Sequence, residues 1–256
     1  MNVLWVFAHP DQASLSGVLR DEGVRALVEA GHEVRMSDLY AMKWKAVVDR
    51  DDFPEETASR TIAAASRQAY DDGTLSADIR AEQEKLRWAD TVVLQFPLWW
   101  YSMPAIMKGW VDRVFVKGFG YGVSDPSSGR TLRYGEGVLA GKRALVVLTA
   151  GSREPAFGPR GINGQLDLAL FPLLHGTLWY TGMDVLPPVA IYGADRVNPA
   201  QLEAASSLVR SKVLTAGTDA PLPYRTQNGG DYDSDLVLLP HHSPDSTGLG
   251  VHYHSV

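Results

Sequence analysis

Three short segments carry side chains suited to chemistry. The first is Ala8-His9-Pro10, followed by Ser14, Leu15 and Ser16. An imidazole beside hydroxyls that can cap a helix frames an anion site, because a helix N-terminus presents N–H groups without partners. The second is Pro97-Leu98-Trp99-Trp100-Tyr101-Ser102-Met103. Adjacent aromatics on a loop make flat apolar walls and offer N–H and O–H groups to whatever lies against them. The third is Thr149-Ala150-Gly151-Ser152, a turn rich in backbone N–H. Together they suit a molecule with a phosphate end and a planar ring end. The competing structural readings are a core plug for the aromatics and plain helix caps for Ser14 and Ser16, and caps would still frame an anion site.

Other chemistries are poorly served. The chain has no cysteine, so neither a disulfide framework nor a thiolate metal site exists. No Gly-x-Gly-x-x-Gly follows the first apolar run, which argues against a dinucleotide fold of that type, and no Gly-x-Ser-x-Gly elbow is present. Asp167, Asp184 and the acidic stretch 49–56 show no paired-carboxylate spacing. The tail histidines His241, His242, His252 and His254 read as surface residues rather than metal ligands. A net charge of −6 disfavours nonspecific nucleic-acid binding. No apolar run reaches the ~18 residues of a membrane span, and the N-terminus lacks a signal-peptide pattern. The expectation is a soluble, cytoplasmic protein.

The elements that must position the three segments follow in order. Asn2 to Phe7 reads as a buried strand, and a helix capped by Ser14 or Ser16 runs to about Ala30. Glu33 to Ser37 is a second strand, which completes a short βαβ unit. Residues 38–73 form a long, Asp-rich insertion, and such insertions are usually functional or interfacial. Ser76 caps a helix to Trp88, Thr91 to Phe96 is the third strand, and Pro104 opens the helix to Phe115 as its first residue. Residues 117–141 are glycine-rich loop. Arg143 to Leu148 is the fourth strand, Gly164 to Thr181 a helix with a break at Pro172, and Val185 to Tyr192 the fifth strand despite Pro187-Pro188. Pro199 opens a last helix to about Leu214.

Strands alternating with helices give an α/β fold: an open parallel five-stranded sheet, order 2-1-3-4-5, with helices on both faces. Residues 1–215 form that domain and 216–256 an extended C-terminal tail. In this order ligands bind between strands one and three, outside their carboxyl ends. The three segments all fall there, which favours a flavin. The aromatics of 38–73 and 117–141 have little to bury them locally, so a symmetric partner is expected to cover them.

The block Phe96-Pro-Leu-Trp-Trp-Tyr-Ser-Met-Pro-Ala-Ile-Met-Lys-Gly-Trp-Val-Asp-Arg-Val-Phe115 resembles the flavin loop and following helix of the NAD(P)H:quinone oxidoreductases, the DT-diaphorase family. So do the His9 segment, Leu75-Ser-x-Asp-Ile79 with Glu82-Gln83, Phe119-Gly-Tyr121, Thr149-Ala-Gly151 and Gly161-Ile-Asn-Gly164. The resemblance covers about residues 2 to 215. It implies a flavodoxin-like fold, bound FAD, a homodimer with an interfacial active site, and two-electron, ping-pong reduction of quinones by NADH or NADPH through flavin N5. Carried over, His9, Ser14, Leu15 and Ser16 hold the pyrophosphate region, and Pro97, Leu98, Trp99, Trp100 and Tyr101 line the isoalloxazine. Thr149, Ala150, Gly151 and Ser152 meet its polar edge, and Tyr121 of the partner covers the substrate.

The chain departs from the family at several of these positions. Ser16 stands where the family often has Asn, Ala150 and Ser152 where it has a second Thr and a second Gly, and Val123 where it has a second pocket tyrosine. Phe157 and Asn163 replace the Tyr and His beside the flavin N1–O2 edge, so Asn163, with the Gly151 backbone, is expected to manage the charge of the reduced ring. The tail has no counterpart. A regulatory or ancillary flavin-binding protein and a single-electron shuttle are the alternative functions, and the preference between NADH and NADPH stays open.

Overall fold

In a computed structural model, which describes residues 1–254, strands β1 (Asn2–Phe7), β2 (Glu33–Asp38), β3 (Thr91–Pro97) and β4 (Arg143–Ala150) lie parallel in the order 2-1-3-4. The expected fifth strand is two. Pro187 and Pro188 lack the N–H a ladder needs, so β5 (Asp184–Val185) and β6 (Val189–Tyr192) pair with β4 separately. The sheet therefore has six strands, with the expected order otherwise kept. β6 carries the ladder to Ala150 opposite Tyr192. Thr149 and Ala150 thus belong to β4 and not to the turn after it.

Alternation along the strands builds a core on each face. Val3, Trp5, Phe7, Val93, Leu145 and Val147 pack under α1 (Leu15–Glu29) and the C-terminal helix Pro199–Thr215. Leu4, Val6, Val92, Leu94, Val146 and Leu148 pack under two further helices, Ala77–Trp88 and Ala105–Val114. Pro104 is the N-cap of the latter helix, one position earlier than the sequence suggests.

The insertion buries part of its own apolar surface within the chain. It forms α2 (Ile62–Asp71), and Trp44 and Phe53 are buried within the chain, as is Phe119 of the glycine-rich segment. We number the helices Ala77–Trp88 and Ala105–Val114 as α3 and α4. Arg113 of α4 pins the insertion. Its guanidinium donates to the buried Asp52 carboxylate at 2.7 Å, to Asp78 at 2.7 Å and to the Lys45 carbonyl at 3.1 Å. It also lies 4.6 Å over the Trp44 ring.

The expected 164–181 helix is broken into Leu166–Ala169, Phe171–Leu173 and a π-helical stretch, Leu174–Trp179. Pro172 cannot continue the ladder, and Thr177 Oγ1 donates to its carbonyl at 3.1 Å. The tail packs Tyr224 and Arg225 against this stretch through Trp179 and His175. Among the described residues no helix is long and apolar enough to cross a membrane.

Removing Asp52 leaves a buried guanidinium with only part of its charge met. Asp52→Ala should destabilise the fold by about 3–5 kcal/mol, read by denaturant unfolding. Burial works against ionisation of Asp78, yet hydrogen bonds from Arg113 and Ser76 hold its carboxyl below the usual range. A depressed carboxyl stabilises the fold above its unfolded pKa, so this contribution should be lost as pH falls through the folded value. An acid-unfolding curve unchanged in Asp78→Asn would contradict that.

Candidate active site

At the carboxyl ends of β1 and β3, a cleft of about 350 Å³ is lined by His9, Ser14, Leu15, Ser16, Pro97, Leu98, Trp99, Thr149 and Gly151. All three segments singled out in the sequence meet here. Ser14 is the N-cap of α1, and its Oγ accepts from Gly17 N–H at 3.2 Å. The N–H groups of Leu15 and Ser16 have no acceptor among the described residues. They form a donor pair at the positive end of a 15-residue helix. Gly17 is required by the tight entry to α1, since a Cβ there would lie 2.0 Å from the Gln12 carbonyl oxygen. His9 Nδ1 lies 2.9 Å from the Asp11 carbonyl oxygen and 3.0 Å from its N–H. The ring is thus fixed through Nδ1, and Nε2 remains for a ligand.

A residue not foreseen from sequence holds this edge together. Gln95 of β3, fully buried, accepts from Trp5 Nε1 at 2.9 Å and donates to the Ser16 carbonyl at 2.7 Å. Ser16 Oγ in turn lies 3.0 Å from Thr149 Oγ1. Ala194 and Asp195, after β6, also line the cleft. The signal for them was their place just beyond a strand's carboxyl end, where ligands bind in such sheets.

The remaining expected residues are not among those lining the cleft, Trp100 and Tyr101 included, since the turn they occupy carries them out from Trp99. Ala150 is buried in the core, because its Cβ points to the opposite face from Thr149. Ser152 is exposed, with its carbonyl accepting from Gly193 N–H at 3.0 Å. Phe157 is buried beside Tyr101 and Tyr192. Asn163 is half-buried, and its Oδ1 accepts from Tyr101 Oη at 2.9 Å, which leaves the amide N–H groups free. Tyr121 lies in a separate groove of about 390 Å³ with Phe115 and Tyr180.

The aromatic segment is a hairpin turn rather than a loose loop. Trp99 and Ser102 exchange backbone hydrogen bonds of 3.1 and 3.0 Å, and the residues between them, Trp100 and Tyr101, have φ of +51° and +61°. Positive φ at both central positions is the pattern of a type I′ turn, which Asn-Gly normally fills. Here two bulky aromatics adopt it. Trp100 is 97% exposed, and Ile162, beside Asn163, is 95% exposed.

Residues 1–213 match a family described by its flavodoxin-like fold. A Penicillium crustosum protein, the ribosyldihydronicotinamide dehydrogenase-like protein traD, is 45% identical over 98% of this chain and 95% of its own length. The NAD(P)H dehydrogenase [quinone] 1 of Cavia porcellus is 36% identical over 77% of this chain and 70% of its own length. The chain belongs to the flavodoxin-like NAD(P)H dehydrogenase [quinone] family. A crystal structure of a candidate quinone reductase from Klebsiella pneumoniae superposes with a TM-score of 0.93 at 47% identity, covering 99% of this chain and 100% of that one. Coverage on that scale includes the tail, which lies beyond the 1–213 family match.

Bulky residues at positive φ hold strain that the surrounding bonds must offset. Replacing Trp100-Tyr101 by Asn-Gly should therefore stabilise the ligand-free protein by about 1–3 kcal/mol per strained residue relieved. Thermal unfolding measures this, and a lower Tm in the double variant would contradict it.

Proposed function

We propose that this chain reduces quinones, or similarly planar acceptors, by two electrons at the expense of NADH or NADPH, with FAD held in the cleft. One observation carries the reading: unpartnered helix N–H groups and the Pro97-Leu98-Trp99 segment line the same cleft at the β1–β3 switch point. The names of the relatives agree with quinone reduction. The choice of FAD draws on the resemblance of the 96–115 block to the DT-diaphorase family.

The flavin, once bound, would supply the redox chemistry, taking a hydride at N5 from NAD(P)H and giving it to the acceptor in alternation. The chain's own residues bind, orient and keep the site dry. Leu15 N–H, Ser16 N–H and His9 Nε2 would hold the pyrophosphate. Pro97, Leu98 and Trp99 would pack the ring, with Trp100 and Tyr101 extending that wall at its mouth. The N–H groups of Gly151 and Ser152, which have no acceptor among the described residues, would meet the ring's polar edge. Asn163, oriented by Tyr101, offers an amide donor for negative charge developing there. It can donate but cannot take up a proton, and Phe157 offers neither function.

The same reading makes the working unit a homodimer. Trp100, next to the cleft-lining Trp99, and Ile162, next to Asn163, are far more exposed than the next large apolar side chain, Val47 at 66%. An isologous partner would cover them and could bring its Tyr121 over the acceptor.

The purified protein should be yellow, release FAD on denaturation, and oxidise NADH or NADPH with menadione. FMN as the sole released flavin would overturn the cofactor, and no turnover with either nucleotide would overturn the enzyme. Asn163→Leu should slow flavin reduction by roughly tenfold or more, less than the loss of an isolated oxyanion donor because backbone N–H groups remain. Stopped-flow reduction from about pH 5.5 to 9 should lack a histidine-like step near ~6.5 assignable to this position. A wild-type rate for Asn163→Leu would reduce the side chain to a structural role.

A further inference from the structure

A second cavity, of about 440 Å³, lies where the C-terminal tail crosses the π-helical stretch Leu174–Trp179. It shares no residue with the flavin cleft. Two guanidinium groups and several ring faces line it. We infer that it is a ligand site for a planar aromatic molecule carrying a carboxylate or phosphate.

The charge is placed for an anion. The Arg225 side chain is 5% exposed. Its Nε donates to the Val251 carbonyl at 3.1 Å and its Nη1 to Asp231 at 2.8 Å, with His254 Nδ1 3.3 Å from Nη1. Its Nη2 has no acceptor among the described residues. Arg133 donates through Nε to Gln227 at 2.5 Å, and among the described residues no carboxylate pairs with it. Asp231 offsets part of the charge of Arg225 but is not among the cavity's lining residues. Arg133 supplies the surplus. The Nη2 group of Arg225 beside the Arg133 guanidinium suits a carboxylate or a phosphate.

The walls are placed for a ring. His175 stacks on Phe171 at 4.4 Å and 15°. Tyr134 lies 5.0 Å from His175 at 31°, and Tyr232 is nearly parallel to His252 at 19°. Burial, with His252 nearby, pushes the His175 imidazole down to about 4, so at neutral pH it is an uncharged plane. The size is within the range of small-molecule pockets.

The local backbone is also built at a cost. Tyr134 and Leu236, both lining residues, have φ of +51° and +64°. Non-glycine residues in this region are strained and collect at active sites and ligand clamps. The π-helical turn that presents His175 and Gly176 is itself a rare form frequently found at functional sites. Strain, π-helix and unpaired guanidinium converge on one cavity.

The test uses the full-length, flavin-loaded protein and titration calorimetry with 2-naphthoate, its neutral analogue 2-naphthamide, and adenosine 5′-monophosphate. Saturable binding of naphthoate or the nucleotide, one per chain, with the amide at least about tenfold weaker, is expected. Naphthoate alone would identify a small aromatic acid as the natural class, and the nucleotide as well would point to a nucleotide phosphate. The visible flavin spectrum should not change on binding. Arg133→Gln should weaken binding by about tenfold or more, while the unfolding temperature stays near that of the parent. Gly176→Leu should block the cavity, and it should fold, since a Cβ at Gly176 meets nothing within 4 Å. No saturable binding, equal affinity for the amide, or full affinity in both variants would overturn the assignment. Each of those results would leave the flavin reading standing.

Discussion

A buried amide sets the geometry on which the candidate active site depends. Gln95 sits in the middle of the sheet with no contact to water. A buried amide left unpaired costs about 1–3 kcal/mol per group, so both of its ends must be met. Trp5 of β1 meets the oxygen, and the Ser16 carbonyl at the start of α1 meets the nitrogen. These bonds tie β3, β1 and α1 together at one point. The Ser16–Thr149 contact then adds β4. The N–H groups of Leu15 and Ser16 are therefore held relative to the aromatic turn that leaves β3 three residues beyond Gln95. A phosphate end and a ring end separated by loop alone would lack this fixed spacing. Positioning through locked side chains on strands is more exact than positioning by loops.

Much of this was legible in the sequence, for a physical reason. Continuous apolar runs such as Thr91 to Phe96 can only be strands buried on both faces, and the short first crossover forces the sheet order. The meeting of the His9, Pro97–Trp99 and Thr149–Gly151 segments follows from that order alone. Local signals failed where tertiary contacts decide. Nothing in Trp-Trp-Tyr announces a type I′ turn, because propensity argues against it at both central positions. The extension of β4 through Ala150 depends on β6, a strand separated from it by a helix and a proline pair. The packing of the insertion depends on Arg113, which pairs with Asp52 across 61 residues of sequence. Gln95 looked like an interruption in an apolar run, and only its partners reveal its role.

Two cavities share one device. Trp100 and Tyr101, next to the cleft-lining Trp99, and Tyr134, which lines the second cavity, are aromatic residues held at positive φ. Aromatic side chains gain little from that conformation on their own. Each is retained where a flat face must stand at a fixed angle to an opening. At the cleft the strain is countered by the paired backbone bonds of Trp99 and Ser102 and by the bond from Tyr101 to Asn163. At Tyr134 it is countered by backbone donation from Tyr134 and Gly135 to Tyr180 and Trp179, at 3.1 and 3.0 Å. The surrounding sheet and π-helix over-determine both positions, which is the condition for such strain to persist.

The bond between Tyr101 and Asn163 also alters the expected chemistry at the ring edge. In the family pattern, a His oriented by a Tyr can both donate and become charged. Here the position of that Tyr is Phe157, yet a tyrosine still orients the residue at the position of that His, from the aromatic turn instead. The orientation survives while the proton is given up. An amide fixed through its oxygen presents its N–H groups in one direction at any pH where the fold is intact. On the proposed reading, stabilisation of charge at that edge would rest on fixed dipoles, the Asn163 amide and the N–H groups of Gly151 and Ser152, which need no reorganisation as charge develops. Coupling the donor to Tyr101 has a second consequence. Under that proposal one turn would both wall the ring and aim the donor, so movement of the turn on ligand entry would move the two together.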